Sequence, residues 1–235
     1  MVPPVPVVTI DGPSGSGKGT IAEALARRMG WHRLDSGALY RSIGVAAEQK
    51  GVALDDPAAL ARLTRSLELT FRTGPAGETV CIEGQDATAA IRSERAGNSA
   101  SVLSAVPAVR QALLERQRAF AMAPGLVADG RDMGTVVFPQ ALLKVFLTAS
   151  PEQRAMRRHK QLKEKGIDVS LRDLSQGIAD RDRRDSSRSV APLRPADDAR
   201  VLDSTELSPA DVLQRILEWL RAEGIAVPSA EETEN

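Results

Sequence analysis

Cysteine is nearly missing from this chain: Cys81 stands alone among 235 residues, so no intrachain disulfide can form. That usage fits a reducing compartment, and a cytoplasmic location is expected. Histidine is almost as scarce, with only His32 and His159, which leaves too few soft ligands for a zinc site. Aromatic residues make up 3%, removing the stacking platforms that single-stranded nucleic acids use. Neither sign of charge is in excess, since 31 basic residues balance 31 acidic ones; no bulk field is left to hold nucleic acid. No apolar run approaches the roughly 20 residues that cross a bilayer. The opening MVPPVPVVTIDG has no basic n-region and no long apolar h-region, unlike a signal peptide. A monomer that binds neither nucleic acid nor membrane is the expectation.

What is present is a globular composition. Apolar residues reach 42%, enough for a core and incompatible with global disorder. The length fits one large domain or one domain with insertions. Arginines outnumber lysines 25 to 6. Arginine's planar fork suits phosphate, but a GC-rich genome gives the same excess, so only individual positions carry information.

Val7 to Ile10 is a short apolar run, read as a buried strand ending at Asp11-Gly12. A glycine-rich loop follows, then Ile21, Leu25 and Met29 at helical spacing, closed by Gly30. Asp56-Pro57 signals an N-cap with Pro at N1, opening a helix through Leu63. Alternation at Leu67, Leu69 and Phe71, a Gly74-to-Gly77 turn, then Val80 and Ile82 predict a small antiparallel insert over 67–92. Pro107 opens a helix with Val109, Leu113 and Phe120 on one side. Leu126 to Asp129 and Leu142 to Leu147 are further buried strands. Ser150-Pro151-Glu152-Gln153 reads as a capping box, opening a helix to about Lys165. Ser170 with Asp173 starts another, Val201 to Asp203 is a last strand, and Ser208-Pro209 opens a final helix ended by Gly224.

Strands alternating with helices predict an α/β fold: a P-loop NTPase-type parallel sheet with helices on both faces, a small antiparallel β insert and a helical lid. The whole reads as a single domain, with its core at about 5–35, 105–150 and 195–225. The insert spans about 36–104, the lid about 154–190, and 228–235 form a disordered tail. Ligands bind such sheets beyond the carboxyl ends of the strands, where Asp11-Gly12, Asp129-Gly130 and Asp203-Ser204 fall.

GPSGSGKGT, Gly12 to Thr20, satisfies G-x-x-x-x-G-K between a strand and a helix. Its glycines (Gly12, Gly15, Gly17) let backbone N–H groups of Pro13-to-Gly19 neighbours such as Ser14 and Ser16 turn toward a phosphate, and the helix N-terminus adds positive potential. Lys18 suits the terminal phosphates, and a first-turn hydroxyl suits Mg²⁺. Gly19 stands where Ser or Thr is usual, so Thr20 is the candidate metal ligand. With that shift the motif resembles the form found in nucleoside monophosphate kinases, as opposed to GTPases or motor ATPases. A Rossmann dinucleotide site is disfavoured because it has no use for the lysine.

Three further clusters suit an anionic acceptor. Ser36 caps the helix that carries Arg41. Asp129-Gly130-Arg131-Asp132-Met133-Gly134 follows the second buried strand, with Asp129 as a Walker-B-like carboxylate. In DRDRRDSSR, positions Arg181, Arg184, Asp185 and Arg188 share a helical face. Arg154, Arg157 and Arg158 share a face of the preceding helix, and Gly166 separates the two helices as in a mobile lid. Taken singly, each has a bland alternative: a capped helix, a salt-bridged turn, or an exposed ion-pair face.

In this order and spacing, GPSGSGKGT, LDSGALYR, ADGRDMGTVVFP, DRDRRDSSR and VLDST closely resemble the bacterial cytidylate kinase family, from Val7 to about Leu220. The resemblance implies transfer of the ATP γ-phosphoryl group to CMP or dCMP, with Mg²⁺. It also implies that Gly12 to Thr20 hold ATP. Ser36, Arg41 and Arg131 would surround the acceptor phosphate. Ser101, Arg110 and Asp132 would meet cytosine, Arg181 and Asp185 the sugar, and Arg188 the base or phosphate. Arg157 and Arg158 resemble lid arginines. A same-fold kinase for UMP, AMP or shikimate, and a nucleotide-binding switch without transfer, are the alternatives.

Overall fold

Val7, Val8, Thr9, Ile10 and Asp11 are all buried, which a strand achieves only where a sheet covers both its edges and its faces. This is β1 (Val7–Asp11) of a computed structural model that describes residues 5–74, 77–164, 166 and 168–229. In chain order there follow α1 (Lys18–Met29), β2 (His32–Asp35), α2 (Ser36–Gln49), α3 (Pro57–Ser66), β3 (Leu69–Gly74), β4 (Gly77–Ile82) and β5 (Gln85–Asp86). Next come α4 (Thr88–Ile91), α5 (Glu94–Leu103), α6 (Pro107–Arg118), β6 (Leu126–Gly130), a π-helical turn (Met133–Val137) and β7 (Leu143–Thr148). The chain ends with α7 (Pro151–Glu164), α8 (Leu171–Ser187), β8 (Arg200–Asp203) and α9 (Pro209–Ala222). It divides into two compact units: residues up to Asp35 with those from Arg118 onward, and Ser36–Gln117.

The first unit is a five-stranded parallel sheet in the order β2-β6-β1-β7-β8, flanked by helices. From β1 the chain turns to β2 on one side and later to β7 and β8 on the other. The loop after β1 therefore sits where the strand order reverses, the usual ligand crevice of such sheets. Its core joins Val8, Ile10, Val127, Val145 and Leu147 of the strands to Ile21, Leu25 and Met29 of α1 and Val212, Ile216 and Leu220 of α9. The helical period of those residues delivers one apolar stripe per helix. A reciprocal capping box between Ser208 and Asp211, with Pro209 at N1, starts α9.

The second unit carries the three-stranded antiparallel sheet β3-β4-β5, where the alternating residues place it. The turn residues Pro75 and Ala76 lie outside the described residues. Here α2 lies close against α5: a Cβ on Gly44 would come 2.8 Å from the Ser99 Cβ. Arg116 of α6 donates to the Thr64 and Leu67 carbonyls at 3.2 and 2.7 Å, closing the end of α3.

Several details depart from the sequence reading. β2 and α5 are absent from that reading; the sheet of the expected 67–92 insert ends at β5, with the helix α4 following, and the segment after β6 folds into the π-helical turn instead of an open loop. α6 stops at Arg118, so Phe120 lies beyond it. At α7 only half of the expected capping box forms. Ser150 Oγ accepts from the Gln153 N–H, but the Ser150 N–H goes to Thr205 Oγ1 from the loop after β8. Lys165, the expected end of the helix after Ser150, together with Ile167 and 230–235 of the expected tail, lies outside the described residues. Among the described residues no helix is long and apolar enough to cross a membrane.

Candidate active site

The phosphate loop leaves β1 through Gly12, whose φ is 157°. A Cβ there would lie 2.0 Å from the Leu147 carbonyl oxygen of β7, so only glycine fits. Gly17, in the left-handed region, is the N-cap of α1 and offers no side-chain acceptor; the first turn carries no acidic residue. The N–H groups that open α1 thus keep their positive potential for an incoming anion. Lys18 Nζ meanwhile donates to the Pro13 carbonyl at 3.0 Å within the loop. Ser16 is 1% exposed, and its Oγ has no hydrogen-bond partner.

α7 and α8 press arginines onto this loop. Arg154 is buried and donates to the Ser14 and Ala149 carbonyls at 2.9 and 3.0 Å; it also pairs with Asp182 at 2.7 Å. Arg157 reaches the Ser16 carbonyl at 3.4 Å and is held by both Oγ and the carbonyl of Ser204. Arg181 Nη1 donates to Ser14 Oγ at 3.2 Å. Arg158, one turn on from Arg154 and half-buried, donates to Gln161 Oε1 at 2.6 Å.

The α8 face is narrower than expected. Leu174, Ile178, Asp185 and Arg188 are buried and Arg181 half-buried, whereas Arg184 is exposed. Arg184 sits on the flank of that buried line, so it does not join the cluster. Asp185 is not free to act alone: its Oδ2 accepts from Arg131 Nε at 2.9 Å, tying α8 to the end of β6. Its carbonyl accepts from Arg188 Nε at 3.2 Å and from the Leu193 N–H. Asp132, next to Arg131, is 4% exposed.

Asp11, the last residue of β1, accepts from the Met133 and Gly134 N–H groups at 2.9 and 2.8 Å. Burial pushes its carboxyl up to about 7 despite those two bonds; Asp132 pushes it further up and Arg131 opposes. Beyond β8, the Thr205 hydroxyl and N–H hold the Asp203 carboxyl below its usual range. That fixes the loop carrying Ser204.

Hard-oxygen donors for a divalent cation lie at the foot of α1. Gly19 has no side chain, and Thr20 is exposed in the first turn. A Cβ at Gly19 would meet Asp129 Oδ2 at 3.6 Å and Arg33 Nη2 at 3.5 Å. Asp129 thus lies within contact distance of the first turn of α1, paired with Arg33 at 3.6 Å. Asp35, its register partner on β2, stands beside it. Carboxylate and hydroxyl oxygens suit Mg²⁺, so the residues present fit that ion.

In the Ser36–Gln117 unit, Ser36 is buried at the N-terminus of α2, with Oγ donating to Gln117 Oε1 of α6 at 3.0 Å. Arg41 is half-buried one turn further on. Ser101 and Arg110 are both buried and meet through Ser104, whose carbonyl accepts from Arg110 and whose Oγ donates to the Ser101 carbonyl. The structure thus gathers Gly12 to Thr20, Arg131, Asp132, Arg157, Arg181, Asp185 and Arg188 in one unit, and Ser36, Arg41, Ser101 and Arg110 in the other. Sequence reasoning missed Asp11, Asp182, Gln117 and Ser204 as partners. For Asp11 a signal existed: an acid closing an otherwise apolar strand.

The cytidylate kinase family model matches residues 8–222. A cytidylate kinase of Nitrosococcus oceani is 56% identical over 218 residues, covering 92% of this chain and 96% of its own. One of Pseudomonas savastanoi pv. phaseolicola is 59% identical over 223 residues, covering 94% and 97%. Among solved structures, a gluconokinase from Sinorhizobium meliloti 1021 covers 93% of each chain at 18% identity and a TM-score of 0.47. With the family model spanning both units and relatives alike along nearly their whole length, this chain belongs to the cytidylate kinase family.

Proposed function

We propose that the protein transfers the γ-phosphoryl group of ATP to CMP or dCMP, giving ADP and CDP or dCDP. Gly12 to Thr20 cradle the ATP phosphates. Ser36, Arg41 and Arg131 neutralise the acceptor phosphate, while Ser101, Arg110 and Asp132 meet cytosine. Arg181, Asp185 and Arg188 serve the acceptor's sugar and phosphate; Arg157 and Arg158 come from the lid. The enzyme works as a cytoplasmic monomer.

The observation that carries the reading is the convergence of Arg157 and Arg181 on the backbone and hydroxyl of the phosphate loop itself, at 3.4 and 3.2 Å. Guanidinium groups gathered there stand ready for a transition state whose charge spreads over phosphoryl oxygens. An attacking phosphate monoester is already an anion at neutral pH, so no general base is needed and positioning does the work. Arg131, held by Asp185, cannot swing out of register, and burial of Asp132 gives its carboxylate a fixed aim. A carboxylate there accepts from the exocyclic amine of cytosine and meets the uracil carbonyl with repulsion. Asp129 and the Thr20 hydroxyl would hold Mg²⁺, which when bound supplies charge neutralisation on the transferring phosphates.

A coupled ADP-release assay across CMP, dCMP, UMP and AMP tests the reading. CMP or dCMP should give the highest kcat/KM; faster turnover of UMP or AMP would overturn it.

A further inference from the structure

The buried carboxyl of Asp11 takes no part in the roles assigned above, yet it closes β1 directly before the phosphate loop. Its main chain lies between Gly130 of β6 and Phe146 of β7. The next residue is Gly12, where a Cβ would come 2.0 Å from the Leu147 carbonyl oxygen. Asp11 thus joins a strand paired on both sides directly to the first residue of the phosphate loop. Its two carboxylate oxygens divide between two consecutive N–H groups, Oδ1 to Met133 at 2.9 Å and Oδ2 to Gly134 at 2.8 Å. These follow directly after Arg131 and Asp132. A Cβ on Gly134 would come 2.9 Å from Thr9 Oγ1 and 3.2 Å from the Lys144 side chain, so that N–H reaches the acid because residue 134 is glycine. On its other side the turn is held by the Arg131–Asp185 pair.

We propose that Asp11 is the positioning residue that locks the Arg131–Asp132 turn in register with the phosphate loop, so that acceptor binding and cytosine selection depend on it and ATP binding does not. The inference rests on the acceptor roles given to Arg131 and Asp132. Two bonds from consecutive N–H groups to one side chain suit such a duty, because they fix the turn at two points. Burial that raises the carboxyl to about 7 is a standing cost at that position, and the geometry gives it a purpose.

The test compares wild type with Asp11→Asn and Asp11→Ala for kcat and for the KM of CMP, UMP and ATP, with thermal melts alongside. In the folded variants the KM for CMP should rise about tenfold or more, the preference for CMP over UMP should fall, and the KM for ATP should stay within about threefold. A purely structural role would lower the melting temperature and the active fraction while leaving both KM values in place, and that result overturns the proposal. Equal rises in the KM of ATP and CMP would also overturn it, assigning Asp11 to the phosphate loop. If neither variant folds, hydrogen exchange on the wild type decides. The Met133 and Gly134 amides should be among the slowest in the first unit, and fast exchange there refutes the lock. If wild type itself fails to phosphorylate CMP, the acceptor reading falls first; normal wild-type turnover with unchanged variants sinks this inference alone.

Discussion

Raising the pH from 5 to 8 should weaken the unit that contains Asp11, and Asp11→Asn should remove most of that loss. Burial lifts the carboxyl from 3.8 to about 7. A raised pKa on an acid means that the fold favours the protonated form. Its contribution is therefore fully present below 3.8 and is lost as pH rises through 7. A shift of about three units amounts to about 4 kcal/mol in all, of which about 3 kcal/mol falls between pH 5 and pH 8. Asp86, Asp198, Asp203 and Asp211 have carboxyls held below 3.8 by hydrogen bonds. Their contributions change only in acid, outside that window. The chain has two tryptophans, and both Trp31 and Trp219 pack against the core of the β1 sheet. Urea unfolding followed by tryptophan fluorescence thus reports on the right unit. The stability gap between wild type and Asp11→Asn should shift by about 3 kcal/mol in favour of the variant on going from pH 5 to pH 8. A gap constant to within about 1 kcal/mol would refute the argument that burial controls this acid.

Other expectations follow from the same geometry. Lys18→Met should cost at least about a hundredfold in kcat, because a cation aimed at developing charge is lost. Its stability by urea titration should barely move, since the Lys18 Nζ bond to the Pro13 carbonyl, at 3.0 Å, is local to the loop. Asp132→Ala should raise the KM for CMP about a hundredfold and the KM for ATP little, as read from initial rates with each nucleotide varied. Arg154→Met leaves half-buried Asp182 and the Ser14 carbonyl without their guanidinium partner. It should lower unfolding stability by about 3 kcal/mol and raise the KM for ATP. Chelation with EDTA should abolish turnover and added Mg²⁺ restore it, whereas the circular dichroism spectrum should not change.

The phosphate loop was legible because its chemistry is local: glycines and a lysine at fixed spacing between an apolar run and a helical period. α1 and α9 were legible for the same reason, each with large apolar residues three or four apart. β2 escaped because HRLD carries one buried apolar residue, Leu34, among charged neighbours. It is an edge strand whose polar side chains serve the Asp129 corner. α5 escaped because ERAGNSASVL packs on α2 through small residues, Gly44 against Ser99, which leave no hydrophobic period to read. The π-helical turn follows from tertiary bonds to Asp11, which no local pattern encodes. Helical spacing put Arg184 beside Arg181 and Asp185, but spacing alone does not give the centre of a buried face. Helical spacing puts Arg154 on one face with Arg157 and Arg158; its pairing with Asp182 of α8, 28 residues away, is not revealed by charge pattern alone.

In the reaction of this kinase one phosphoryl group passes directly from ATP to the acceptor nucleotide. The most direct test supplies ATP labelled at the γ-phosphorus together with CMP and separates the products. The label should appear in the β-phosphate of CDP in step with ADP release. Label recovered as inorganic phosphate, with CMP unchanged, would contradict the claim.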